Sequence, residues 1–319
     1  ARPGSAHAGG AVRTGPGMLE KIIYVTGYGR SGSTLLDMML ASHPDVFGAG
    51  EMSTICRHVW PNDEFCACHA RVRACPLWSG VMAEWQAGGI DPAAHARLQQ
   101  KIEPVIAPAR ILGGASARRY GDQTLALLRI TAAHRGQPVL LDSSKSPGRA
   151  LALAAAAADA GIDFRAIHLV RDPRAVAYSM SKPMKIDTEA GVQKRIRAHP
   201  AWRTALRWGY VNAGADALMR RLPEDRAIRI RYEDLVAYPA ETLSRIGLAV
   251  GLPELADRGR AIAEGQPIAA EHQVAGSRIR MSGPMALKAD LHWQDRMAPA
   301  ARAQVERITA ARMRRYGYE

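Results

Sequence analysis

Lys21-Ile-Ile-Tyr-Val-Thr-Gly-Tyr-Gly-Arg-Ser-Gly-Ser-Thr-Leu-Leu-Asp-Met-Met-Leu-Ala-Ser42 divides into three pieces. Lys21–Thr26 is a short β-branched run without polar alternation, as expected of a strand covered on both faces. Gly27–Gly32 is a glycine-rich turn. Thr34–Ser42 has the apolar spacing of an amphipathic helix, which stops before His43-Pro44 because a proline forces its predecessor out of helical conformation. A turn between a strand and a helix aims several backbone N–H groups at one point, and the helix dipole adds partial positive charge there. The loop is therefore a candidate site for a phosphate-like anion.

Outward from this unit the alternation of strand and helix continues. Pro138–Asp142 reads as a second strand, leading into Ser143-Ser144-Lys145, and Pro147–Ala160 as the helix that follows it. Phe164–Val170 is a third strand, after which Asp172 is suited to cap a helix whose first position is Pro173. A long helical stretch is expected from Glu189 to Arg221, bent or broken at Pro200. Ala227–Tyr232 alternates as a strand, and the rest is helix and loop ending in a basic helix. Strands alternating with helices imply a parallel sheet covered on both faces, so the expected fold is an α/β three-layer sandwich with a P-loop-like anion-binding loop. Residues 1–17 read as a disordered tail and 18–319 as a single domain. Within it, residues of about 52–136 are mainly helical and irregular, with Trp60, Trp78 and Trp85 as packing anchors.

Composition narrows the classes further. The 319 residues are 47% apolar, yet no apolar run approaches the roughly 20 residues that cross a bilayer. The first residues lack the hydrophobic centre of a signal peptide, so a cytoplasmic protein without a membrane span is expected. A net charge of +13 invites a nucleic-acid reading. Aromatics are only 6% of the chain, however, and no basic run is interleaved with them, so scattered surface arginine is the better account. Cys56, Cys66, Cys68 and Cys75 are too few for a disulfide scaffold and lack Cys-x-x-Cys pairs, so loop thiols or one local disulfide are expected, with no metal site.

The glycine spacing of Gly27–Thr34 is that of a P-loop, but Ser33 occupies the position of the usual lysine, and the cation has moved into the loop as Arg30. A kinase-like nucleoside-triphosphate enzyme is one alternative, although Asp142 is the only candidate for a magnesium aspartate. A non-catalytic nucleic-acid-binding protein is another.

In Gly29-Arg30-Ser31-Gly32-Ser33-Thr34 the chain resembles the sulfotransferases that use 3'-phosphoadenosine-5'-phosphosulfate (PAPS), whose 5'-phosphosulfate loop has this form. Leu169–Arg174, followed by Ser179, is similar to their 3'-phosphate motif, in which an arginine at a strand end and a serine eight positions later hold the phosphate. Arg171 provides a fork for phosphate oxygens beside a capped helix start, which is a second anion site on physical grounds alone. Two anion sites at neighbouring strand ends suit a nucleotide with phosphate at both ends of its ribose. The resemblance extends to Asp142–Pro147, to Arg231–Leu235, and to His272–Arg280, whose Gly276 and Arg280 would lie over the nucleotide. In that last segment Ser277 replaces the usual asparagine. The residues Tyr232–Asp234 are otherwise expected only to end a strand and cap a helix.

His43–Val46 with Gly50-Glu51 resembles the protein-tyrosine and carbohydrate branches, where a glutamate so placed is the general base. The resemblance thus implies Glu51 as base, with Arg30 and Lys145 facing the transferred group. Gly29, Arg30, Ser31, Gly32, Ser33, Thr34, Arg171, Ser179, Gly276 and Arg280 would bind PAPS or its product PAP. It implies no metal. The acceptor would be a small-molecule, carbohydrate or peptide hydroxyl, covered by residues of about 52–136 and the loop Ser181–Thr188. Donor chemistry does not constrain those positions, so sugars, phenols, lipids and tyrosines all fit, and nothing in the sequence bears on oligomeric state.

Overall fold

The computed structural model describes residues 18–104, 106, 114–183, 185–188, 192 and 197–319. Five strands form the centre: β1 (Lys21–Thr26), β2 (Val46–Gly48), β3 (Val139–Lys145), β4 (Asp163–Val170) and β5 (Ala227–Arg231). All pairings are parallel, in the order β2-β3-β1-β4-β5. The helices are α1 (Ser33–Leu40), α2 (Trp78–Ala87), α3 (Pro92–Ile102), α4 (Ala115–Arg135), α5 (Pro147–Asp159), α6 (Pro173–Met180) and α7 (Ala201–Met219). They continue as α8 (Tyr232–Ala237), α9 (Pro239–Val250), α10 (Leu255–Ala263), α11 (Trp293–Arg296) and α12 (Pro299–Arg315).

Successive side chains of a strand point to opposite faces, and here both faces are apolar. Ile22, Tyr24, Leu140, Phe164 and Ala166 pack with α2, α4 and α5, where Trp78 and Trp85 are fully buried and Trp60 partly so. Ile23, Val25, Leu141, Ile167 and Leu169 pack on the other side with α1, α9 and α10. This is the three-layer α/β sandwich expected from the alternation of elements. Because β1 lies between β3 and β4, α1 and α5 leave the sheet on opposite faces, which makes the carboxyl ends of these strands a topological switch point, the usual place for a ligand in an open α/β sheet.

Several boundaries differ from the sequence reading. β3 runs on through Ser143 and Ser144 to Lys145. The edge strand β2 was not foreseen, since three residues are too few to show a period. The long helix begins at Ala201, not Glu189. Pro200 is its N-cap, and Asp187 and Val192 form an antiparallel bridge before it. A proline offers no N–H and pushes His199 towards extended backbone, so it starts this helix instead of bending it. The expected tail, residues 1–17, and residues 189–191 and 193–196 lie outside the described residues. Among the described residues no helix is long and apolar enough to cross a membrane.

Candidate functional site

Gly32 is the hinge of the site. It caps α1 with φ +91°, and a Cβ there would lie 2.4 Å from the Tyr232 ring, so only glycine fits. No side chain caps α1, which leaves its first N–H groups directed at the loop. Arg30, also in left-handed conformation at φ +66°, lies in the same loop within electrostatic reach of Glu51 and Arg171. Burial lowers its pKa from the ordinary arginine value, an effect the nearby Glu51 carboxylate opposes. Ser31 Oγ is buried without a hydrogen-bond partner.

Arg171 leaves the end of β4 almost fully buried. Nη1 donates to the Arg30 carbonyl at 3.1 Å, and Nη2 donates to the Asp290 carbonyl at 2.8 Å and its carboxylate at 3.2 Å. The guanidinium lies 4.3 Å from the centre of the Tyr232 ring, and its Nε has no partner. Asp172 caps α6 as expected, accepting from Arg174 N at 2.8 Å. Ser179 lies two turns along α6 and is half-buried. Arg231 and Asp234 pair at the start of α8, as a strand end and cap would. Tyr232 does more than end the strand, because it supports both Gly32 and Arg171. The aromatic ring between two motifs was invisible to a reading that took each motif separately.

The third component joins β2 to β3. Lys145, at φ +71°, directs Nζ to within 2.6 Å of Glu51 Oε1 and donates to Ser33 Oγ at 3.3 Å and the Ser143 carbonyl at 3.1 Å. Such a conformation costs a lysine about 1–3 kcal/mol and persists only where the surroundings impose it. The structure thus brings Arg30, Glu51 and Lys145 to one end of the α1 loop. Asp142 does not join them. It is fully buried, bonded to Arg149 Nε at 2.9 Å, and Arg149 also donates to the Tyr120 hydroxyl at 2.8 Å. A magnesium-binding role for Asp142 would require breaking that pair.

A strap of residues 272–281 closes the group from above. Glu51 N donates to the Val274 carbonyl at 2.9 Å, and Val274 N to the Ala49 carbonyl at 3.0 Å. Ser277 N donates to Thr34 Oγ1 at 3.0 Å. At Gly276, φ is +98° and a Cβ would lie 2.8 Å from Thr34 Oγ1, so the close approach depends on glycine. Arg280 is buried, with Nη2 donating to the Phe65 carbonyl at 3.3 Å and Nε without a partner. Burial lowers its pKa too. Beneath the strap, Asp37 accepts from Gly50 N at 3.2 Å and from the side chains of Gln273 and Ser143. Full burial nonetheless raises its pKa to about 7. Sequence spacing gave no hint of Asp37, which looks like one more helix residue. It also separated the cysteines from His272, which the fold brings against Cys66 and Cys75.

The chain matches the profile described as "Sulfotransferase family" over residues 23–257. None of the curated proteins matches it. Among solved structures it is similar to the sulfotransferase domain of an olefin synthase from Synechococcus PCC 7002, at 21% identity and TM-score 0.49, covering 95% of this chain and 96% of that one. A sulfotransferase domain from the curacin biosynthetic pathway is 18% identical, with TM-score 0.49 and coverage of 95% and 99%. A sulfotransferase from Mycobacterium avium is 15% identical, with TM-score 0.46 and coverage of 94% and 78%.

Proposed function

The chain belongs to the sulfotransferase family, and on that premise we propose that it moves the sulfuryl group of PAPS to a hydroxyl acceptor, with Glu51 as general base. The observation that carries this reading is the meeting of Lys145 Nζ with both Glu51 Oε1, at 2.6 Å, and Ser33 Oγ, at 3.3 Å. It sets a carboxylate and a cation side by side at the mouth of an anion-binding loop. The donor also suits the surroundings. Ser31 Oγ and Arg171 Nε are buried polar atoms without partners, and phosphate oxygens would satisfy them.

When bound, PAPS supplies an activated sulfur–oxygen bond whose cleavage leaves 3',5'-adenosine diphosphate. The α1 N–H groups, Gly29, Ser31, Gly32, Ser33 and Thr34 hold the 5'-phosphosulfate. Arg171 and Ser179 hold the 3'-phosphate, and Gly276 and Arg280 close over the nucleotide. Arg30 and Lys145 offset negative charge growing on the leaving oxygen, a preorganised stabilisation that typically outweighs other contributions. Glu51 takes the acceptor proton as the hydroxyl attacks. The acceptor is a small-molecule, carbohydrate or peptide hydroxyl met in the cytoplasm, and residues 18–319 act as one domain.

Calorimetric titration with 3',5'-adenosine diphosphate, with ATP–magnesium in parallel, tests the donor. Binding of the product alone, lost in Arg171→Ala, supports the reading. Binding of ATP–magnesium alone would return the chain to a kinase-like class.

A further inference from the structure

Cys66, Cys68, Cys75 and His272 direct their ligand atoms to one point. The three sulfurs and one imidazole nitrogen all lie within 4.8 Å of one another. Cys68 Sγ is 3.7 Å from Cys75 Sγ, while His272 Nδ1 is 3.3 Å from Cys75 Sγ and 3.8 Å from Cys66 Sγ. A tetrahedral zinc ion with Zn–S near 2.3 Å and Zn–N near 2.0–2.1 Å has S···S edges of about 3.8 Å and S···N edges of about 3.6 Å. The measured edges fall around those values. A disulfide instead needs its sulfurs about 2.05 Å apart, and all four cysteines of the chain are free thiols.

The supporting shell has the same character. The backbone N–H of Cys68 donates to Cys66 Sγ, that of Ala70 to Cys68 Sγ, and those of Leu77 and Trp78 to Cys75 Sγ. Such bonds hold thiolates in place around a metal. His272 is fixed through its own carbonyl, which accepts from Trp78 Nε1 at 2.7 Å. Cys66, Cys68 and Cys75 come from one turn, while His272 is 197 positions beyond Cys75, which is why spacing within the cysteine segment gave no zinc pattern.

We propose that Cys66, Cys68, Cys75 and His272 form a structural zinc site. Four protein ligands fill a tetrahedron and leave no position for water or substrate, so the ion holds structure and takes no part in the reaction. What it holds is the strap. His272 opens that segment, Gln273 O accepts from Ala67 N at 3.1 Å, and Gly276 meets Thr34 four residues later. The ion anchors the cover of the donor loop to the turn that carries the cysteines.

Metal analysis of the purified full chain decides the matter without any activity assay. About one zinc per chain is expected, released by a thiol-blocking mercurial. Cys75→Ser should lose the ion, whereas His272→Cys should retain it as a four-thiolate site. Cobalt bound in its place should show thiolate-to-metal charge transfer and tetrahedral ligand-field absorption. Should Cys75→Ser fail to fold, the zinc content and cobalt spectrum of the unaltered chain still give the answer. Zinc-supplied protein without bound metal, or a Cys68–Cys75 disulfide found by mass spectrometry in freshly purified chain, would overturn the proposal. Donor binding is measured separately, so either proposal can fail while the other stands.

Discussion

Arg171 sits over the Tyr232 ring, with its guanidinium carbon 4.3 Å from the ring centre, and the edge of the same ring occupies the space a side chain at Gly32 would need. One aromatic residue therefore sets the separation between the Gly32 loop and Arg171, the two proposed anion sites. A cation held over a ring gains about 1 kcal/mol, and more where it is fully desolvated. Tyr232→Ala should weaken binding of 3',5'-adenosine diphosphate about fivefold by calorimetry, while Tyr232→Phe, which keeps the ring, should stay within about twofold. Equal losses in both would place the contribution in the hydroxyl.

Asp290 pairs with Arg171, with its carboxylate 3.2 Å from Nη2 and its side chain half exposed, so it occupies a guanidinium that the proposed function assigns to a phosphate. An anionic ligand must compete with it. Asp290→Ala should therefore tighten product binding, and the gain should shrink at high salt as screening weakens the competing charge. Weaker binding in that variant would show instead that Asp290 holds Arg171 in its working orientation.

Glu51→Gln retains the size of the side chain and removes its basicity. Turnover should fall by roughly 100-fold or more, the usual contribution of a positioned general base, with product affinity within about twofold. Parallel loss of turnover and product affinity would assign Glu51 to holding Lys145 and the loop.

Asp37 should give the protein a pH-dependent stability of recognisable sign. Its carboxyl is raised by burial from 3.8 to about 7, so between those values the native state binds a proton that the unfolded chain has lost. Stability from this group is therefore present at low pH and is lost as pH rises towards 7, by at most roughly 4 kcal/mol. Denaturant titrations from pH 5 to 8 should show Asp37→Asn gaining stability over the unaltered chain as pH rises. A constant difference across that range would mean Asp37 does not titrate there.

The sheet and the loop were legible because their signals are local. β1 and the glycine turn declare themselves within a dozen residues, and the Asp172-Pro173 helix start within two. The site as an assembly was not legible in that way. Lys145 and Glu51 meet across a parallel pairing of β2 with β3, and β2 is too short to be seen in sequence. Tyr232 stands at a strand end where capping alone explains Arg231 and Asp234. The pairing of His272 with the cysteine turn, and of Gln273 with Asp37, depends on a strap whose partners are hundreds of positions away. Periodicity and spacing report on neighbours along the chain, whereas these contacts come from topology.

The bond from Ser277 to Thr34 joins residues 243 positions apart. Synthesis delivers the glycine loop and Glu51 long before their cover, and closing so long a loop is among the slower, entropically costlier steps of folding. A nascent chain that has not yet reached residue 272 holds the loop and Glu51 without the backbone pairing that fixes Glu51 to Val274. Loss of the segment from residue 272 onward would thus leave all five strands, which end at Arg231, in the chain while removing the backbone pairing that holds Glu51 and Thr34 under their cover.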